Sequence, residues 1–210
     1  MPRERHPYGH AARLPEGTDP VDLRSLFGAH QGPIEIEIGP GRGGFLFERA
    51  AVVHDTCILG LEIRLKWAHV VNERLAKAGL SPRVQSLAED AKVALPRLVP
   101  DGSVRAFFLH FPDPWWKKRH EKRLVMGDAL LDQIARLLVP EGALYIQTDV
   151  EDRAALYESQ VLAHHAFVPR GDREGSPRVE ENPYGARSPR EHRAIADGLP
   201  VHRLLFIKKP

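Results

Sequence analysis

From Pro33 onward the chain repeats one pattern, a short apolar strand followed by an amphipathic helix, and this alternation narrows the fold more than any other feature. Residues 34–38, 56–62, 83–87, 104–109 and 143–148 read as strands. The stretches between and after them, 45–53, 65–78, 91–98, 127–138 and 152–165, have helical spacing of apolar positions. Residues 166–169 and 201–207 form a closing pair of strands. Such alternation predicts an α/β fold with a mostly parallel sheet and helices on both faces. Sheets of that kind bind ligands beyond the carboxyl ends of their strands, where strand order reverses. Residues 1–31 are rich in Pro, Gly, His and charge and read as a partly flexible N-terminal arm with a short helix near 19–27, ahead of one domain over 32–210. Residues 170–190 are polar and full of helix breakers, so a loop is expected there.

The bulk numbers exclude several classes. With 210 residues, 42% apolar and 28% charged, the chain is long enough for one substantial core and has the balance of a globular protein. No apolar run is long enough for a membrane span, and no apolar stretch follows the basic N-terminus as a secretory signal requires. The single cysteine, Cys57, forbids an intrachain disulfide, fits a reducing compartment and sits in a strand-like apolar run as a buried structural thiol. A net charge of only +2 means that any polyanion must be held by the placement of charge. Histidines 110, 120, 164 and 165 match no zinc spacing, and no metal is expected.

Two segments carry chemistry. The first, Glu37-Ile-Gly-Pro-Gly-Arg-Gly-Gly44, falls where the first strand should pass into the first helix. Glycines there let the backbone turn tightly and approach a ligand closely. Gly39, Gly41 and Gly44 fit a nucleotide-binding fingerprint, with Glu62 at the end of the second strand where an acid can bind both ribose hydroxyls. Acids also stand at the ends of the other strands, at Asp90, Asp113 and Asp149, although any one of them can simply cap the helix that follows. A glycine loop alone leaves a pyridine dinucleotide and S-adenosylmethionine both open. Glu37, just before the loop, would repel a pyrophosphate but suits an ammonium, so electrostatics favours the methyl donor.

The second segment is Phe108-Leu-His-Phe-Pro-Asp-Pro-Trp-Trp-Lys-Lys-Arg-His-Glu-Lys-Arg123. Asp113 is clamped between two prolines, two tryptophans follow, and from Trp115 to Arg123 five Lys or Arg face a single Glu. Apolar strand, rigid acidic turn, flat aromatics and cations are the parts needed to hold a base together with its phosphates. The cations neutralise phosphates and position the nucleic acid, while Trp115 or Trp116 can stack on an extruded base.

In order and spacing, Glu37-Ile-Gly-Pro-Gly-Arg-Gly, Gly60-Leu-Glu-Ile-Arg64, Phe111-Pro-Asp-Pro-Trp-Trp-Lys-Lys-Arg-His120 and Gln147-Thr-Asp149 resemble the motifs of bacterial tRNA (guanine-N7)-methyltransferases. The resemblance implies a Rossmann-like class I methyltransferase fold with a mostly parallel seven-stranded sheet. It implies transfer of the methyl group of S-adenosylmethionine to N7 of the variable-loop guanine at tRNA position 46, in the cytoplasm, by a monomer or homodimer. By the same resemblance Glu37, Gly39, Gly41, Glu62, Asp90 and Asp113 are expected to bind the cofactor, with Asp113 also the catalytic residue. Lys117, Asp149, Ser188 and Glu191 are expected to contact substrate, and Lys118, Arg119, His120, Lys122 and Arg123 the RNA. Where the family has Thr-x-x-Glu, this chain has Ser188-Pro-Arg-Glu191, which is also a helix capping box with Pro at the first helical position. Trp116 stands where the family more often has Pro or His, and the last strand lacks the family's aromatic and acid. Two other classes share part of these features. A nicotinamide-dependent dehydrogenase would use the glycine loop but not Glu37 or the basic block, and a non-catalytic RNA-binding module would use the basic block alone.

Overall fold

The computed structural model describes residues 7–112 and 126–210. In chain order the strands are β1 (Val21–Asp22), β2 (Ile34–Ile38), β3 (Cys57–Leu61), β4 (Val84–Leu87), β5 (Leu98–Val99), β6 (Val104–His110), β7 (Leu138–Thr148), β8 (Phe167–Pro169) and β9 (His202–Lys208). The helices are α1 (Gly44–Val52), α2 (Leu65–Lys77), α3 (Ala91–Ala94), α4 (Asp128–Leu137), α5 (Glu151–Ala163) and α6 (Pro189–Ala196). Seven strands form one sheet in the order β4-β3-β2-β6-β7-β9-β8, and β9 alone runs against its neighbours. The mostly parallel seven-stranded sheet expected from the alternation is therefore present. β1 and β5 make a separate parallel pair.

Two apolar layers sandwich the sheet. On one face Ile34, Ile36, Ile38, Phe107, Leu109, Leu144 and Ile146 pack with Leu130, Leu131 and Ile134 of α4 and Tyr157 and Val161 of α5. The N-terminal segment adds Leu14, Val21, Leu23 and Phe27 to this layer, and the Ala12 carbonyl accepts from the Ala88 N–H at 2.7 Å. On the other face α1 and α2 cover Ile58 and Val84, while Phe45 and Ala186 cover Ala106, Phe108 and Tyr145.

Three local details depart from the sequence expectations. The helix expected over 91–98 stops as α3 at Ala94 and continues as a 3-10 turn, Leu95–Arg97. Pro96 explains this, because it has no N–H to donate and its ring crowds the preceding turn. The segment after α4 becomes strand at once, since Leu138 pairs with Val104 and Ala143 pairs with Ala106 across a register shift. The short helix near 19–27 is a five-residue 3-10 helix, Leu23–Phe27, whose first turn is capped by Asp22 accepting from the Arg24 N–H at 2.8 Å.

Cys57 is fully buried, and that burial raises its thiol pKa above the ordinary value despite the nearby Arg24. A thiol reagent such as Ellman's should leave the native protein unlabelled and should titrate one thiol in denaturant. Rapid labelling of the folded protein would contradict this placement.

Candidate active site

Strand order reverses between β2 and β6, where β3 and β4 lie to one side and β7 to the other. A cavity of about 420 Å³ opens there, at the carboxyl ends of the strands. Glu37 at the end of β2 and Gly39, Pro40 and Arg42 in the turn after it form one wall. His110 and Phe111 close the end of β6. Asp149 and Arg153 follow β7, and Ser188 and Arg190 begin α6.

The turn after β2 is held by the residues it brings to the site. Gly41 has a φ of 56°, a left-handed conformation that L side chains rarely adopt, and its N–H donates to Glu62 Oε2 at 2.9 Å. The other oxygen of Glu62 accepts from the Arg64 N–H at 2.9 Å, so two backbone donors fix this carboxylate at the end of β3. Each carboxylate oxygen has lone pairs left for hydroxyl donors. Gly44 allows a different approach, because a Cβ there would lie 2.3 Å from Pro189 Cγ. Its bare backbone lets the starts of α1 and α6 meet beside the cavity.

Glu37 is buried, with Oε1 bonded to His110 Nδ1 at 2.8 Å. Glu37 Oε2 and His110 Nε2 are buried and have no hydrogen-bond partner among the described residues. His110 packs against Phe45 at 4.3 Å between ring centroids and stacks on Phe108 at 5.8 Å. Phe111, the next residue, has a φ of 49° and donates its N–H to the Gln147 carbonyl at 2.7 Å. A non-glycine residue in that region marks strain held in place by its surroundings, here at the mouth of the cavity.

Below the cavity lies a second acid, Glu35, completely buried near the start of β2. Arg49 of α1 grips it bidentately, Nε to Oε2 at 2.9 Å and Nη2 to Oε1 at 2.8 Å. Arg105 adds a bond to Oε1 at 2.5 Å. Arg49 Nη1 also donates to the Tyr184 carbonyl at 2.6 Å, which ties the loop before α6 to the sheet. Burial pushes the Tyr184 hydroxyl up to about 12 and raises that of Tyr145 further, so both phenols stay neutral under the polar rim.

A family model described as "Putative methyltransferase" matches residues 31–204. The chain is 38% identical over 190 residues to the tRNA (guanine-N(7)-)-methyltransferase of Anaeromyxobacter dehalogenans, covering 89% of this chain and 91% of that protein. It is 35% identical over 189 residues to the enzyme of the same name from Myxococcus xanthus, covering 90% and 89%. The chain belongs to the tRNA (guanine-N7)-methyltransferase family. Among solved structures, the 16S rRNA methyltransferase KamB superposes with a TM-score of 0.61 at 14% identity over 89% of this chain and 92% of that one. The Rossmann-like class I methyltransferase fold read from the sequence is thus the fold of the molecule.

Across the sheet edge the strand-end acids stand in the order of their strands: Asp90 after β4, Glu62 after β3, Glu37 on β2 and Asp149 after β7. Glu37, Gly39, Asp149 and Ser188 line the cavity, whereas Glu62, Gly41 and Asp90 lie along the edge beside it. Asp90 also caps α3, accepting from the Lys92 N–H at 2.9 Å. Asp149 is paired with Arg190. Ser188 caps α6 by accepting from the Glu191 N–H at 3.2 Å, but the Glu191 carboxylate does not complete the capping box. It turns inward and is fully buried, bonded to Arg203 at 2.9 and 3.1 Å and to Asn182 at 3.0 Å. Asp113, Lys117, Lys118, Arg119, His120, Lys122 and Arg123 lie outside the described residues, as do Trp115 and Trp116.

His110, Arg153 and Arg190 were not singled out from the sequence as site residues. His110 had a signal, an ionisable side chain ending the apolar run 106–109. Among the described residues no cluster of three or more His, Cys, Asp or Glu is placed to hold a metal ion. His164 instead pairs with Asp132 at 3.0 Å and stacks on His165. Nor is any described helix long and apolar enough to cross a membrane.

Proposed function

We propose that this chain transfers the methyl group of S-adenosylmethionine to N7 of guanine 46 in the variable loop of tRNA. The observation that carries the reading is the buried Glu37 carboxylate, with an oxygen unpartnered among the described residues, beside a glycine turn at the strand-order reversal. A cavity whose deepest charge is negative suits a cationic methionine moiety and disfavours the pyrophosphate of a dinucleotide. Glu62, fixed by two backbone N–H groups one strand away, is placed to accept from ribose hydroxyls. The chain's residues therefore fit S-adenosylmethionine.

When bound, S-adenosylmethionine supplies a methyl group on a positively charged sulfur. Guanine N7 has its own lone pair, so no residue of the chain needs to remove a proton from the nucleophile. The chain's task is to align the base with the donor and to stabilise the positive charge that passes to the purine. Asp149 brings a carboxylate to the cavity for this charge. Asp113, read from the sequence, orients the guanine through its N1/N2 edge and balances the same charge. An Asp113→Asn variant is expected to lose about 100-fold in kcat. Its Kd for S-adenosylhomocysteine should stay within about threefold of the wild type. Loss of cofactor affinity instead would make Asp113 chiefly a donor-binding group.

Lys117, Lys118, Arg119, Lys122 and Arg123 meet tRNA phosphates, and Arg42, Arg153 and Arg190 extend positive charge along the cavity wall. Five phosphate contacts predict a log–log slope of tRNA affinity against salt of roughly −3.5 to −4.5. A nearly flat salt dependence would remove the basic block from the interface. The position of methylation is tested with two tRNA transcripts that differ only at nucleotide 46. Labelled methyl should enter the transcript with guanine there and not the one with adenine; equal labelling of both would overturn the assignment of position.

A further inference from the structure

Resting on that reading, we propose that Arg190 donates to O6 of the target guanine and so selects guanine at the site, with Asp149 holding it in place. Arg190 stands in the first turn of α6 and Asp149 follows β7, and both line the cavity. Nη2 of Arg190 bonds to Asp149 Oδ2, and its other N–H groups have no partner among the described residues. The Asp149 side chain is 16% exposed and that of Arg190 44%, so the carboxylate is the fixed seat and the guanidinium keeps an open side. The position does not suit a cation by itself. A helix begins with the positive end of its dipole, where an acid is preferred, and Glu191, the acid of this turn, is turned away to Arg203. Asp149 offsets that cost and aims the guanidinium.

Guanine presents two donors, N1–H and the 2-amino group, beside one acceptor, O6. A carboxylate only accepts, so the acids of the cavity can meet the two donors but leave O6 without a partner. A base drawn out of water in that state would lose a hydrogen bond. Three guanidinium groups line the cavity. Arg42 lies 4.6 Å over the Trp67 ring, whereas Arg190 is the one tied to a carboxylate of the cavity among the described residues. That tie decides between two acceptors. A phosphate at Arg190 would sit beside the Asp149 carboxylate and be repelled. O6 is a neutral oxygen, to which the pair offers a directed donor without net charge. Neutrality also suits the reaction, because methylation places positive charge on the purine and a bare guanidinium would oppose it. The contact has to leave N7 free as the nucleophile, so Arg190 makes a single bond to O6 and not the O6/N7 fork of major-groove recognition. Adenine carries an amino group in place of O6 and sets donor against donor.

Arg190→Met keeps an unbranched side chain and removes the donors. On tRNA transcripts with guanine or inosine at nucleotide 46, both of which have O6, its kcat/KM should fall roughly 10- to 100-fold below the wild type. On a transcript with 2-aminopurine there, which keeps N7 and the 2-amino group but has no O6, R190M and the wild type should agree within about threefold. Equal losses on all three transcripts, or none on any, overturn the proposal. Salt dependence gives a second readout that needs no turnover. A contact to the base leaves the log–log slope of tRNA affinity against salt unchanged in R190M, whereas a lost phosphate contact makes it shallower by about one. The shallower slope would overturn the proposal, and this measurement decides wherever 2-aminopurine is turned over too slowly to compare. A wild type that methylates guanine and 2-aminopurine transcripts equally well overturns the proposal alone. One that methylates no transcript overturns the activity reading beneath it as well.

Discussion

Replacing Arg49 with methionine is expected to destabilise the protein by about 3–5 kcal/mol, a large share of the stability of a domain of this size. The reason is Glu35. Its carboxylate is fully buried and Arg49 supplies two of its three hydrogen bonds, the third coming from the more exposed Arg105. Without the bidentate partner a charge stays in the sheet layer with too few donors. Urea melts of R49M should show a lower midpoint, and the double variant E35L/R49M, which removes both charges, should regain most of the loss. If R49M and the double variant were equally unstable, packing rather than uncompensated charge would be the cause. R49M should also weaken cofactor binding, because Arg49 anchors the Tyr184 carbonyl and so the loop leading to Ser188 and Arg190.

Glu62→Ala is expected to raise the Kd for S-adenosylhomocysteine on the order of 100-fold, the value of two hydrogen bonds to a charged group. This variant loses more than the acceptor for ribose hydroxyls, since Glu62 also receives the N–H groups of Gly41 and Arg64. The left-handed turn before α1 then loses these side-chain ties, while the Gly39 N–H bond to the Leu61 carbonyl of β3 at 2.9 Å remains. Glu62→Gln keeps one acceptor oxygen and should fall between the wild type and the alanine variant. Unaltered affinity in Glu62→Ala would move the ribose site elsewhere.

Most of the fold was legible because period and punctuation agreed: β2, β3, β4 and β6 each follow turn residues and precede a helical stripe of apolar residues. What was not legible was local. Ile34-Glu-Ile-Glu-Ile38 alternates like a strand with one wet face, yet all five residues are buried. In a doubly wound sheet both faces are covered, so acids in a central strand must find partners, and Glu35 and Glu37 do so in quite different ways. Glu35 becomes structural through Arg49, a contact between residues 14 apart that no periodicity encodes. Glu37 becomes the floor of the cavity.

The site was legible where backbone geometry imposes a residue type. Gly41 needs its positive φ, and the strand-end acids follow from the topology. Glu191 shows the limit. Its spacing from Ser188 reads as a capping box or a ligand contact, but the half-buried Arg203 guanidinium draws the carboxylate inward. That partner lies on β9 and becomes visible only once the chain is folded. His110 is the converse case, weighed in the sequence only as a metal ligand and found in the cavity beside Glu37.

The central claim is tested most directly by incubating the protein with methyl-labelled S-adenosylmethionine and unmodified bulk tRNA, digesting the RNA to nucleosides and identifying the labelled product. The account predicts 7-methylguanosine as the labelled nucleoside. Label in any other nucleoside, or none in RNA from a protein that binds S-adenosylhomocysteine, would contradict it.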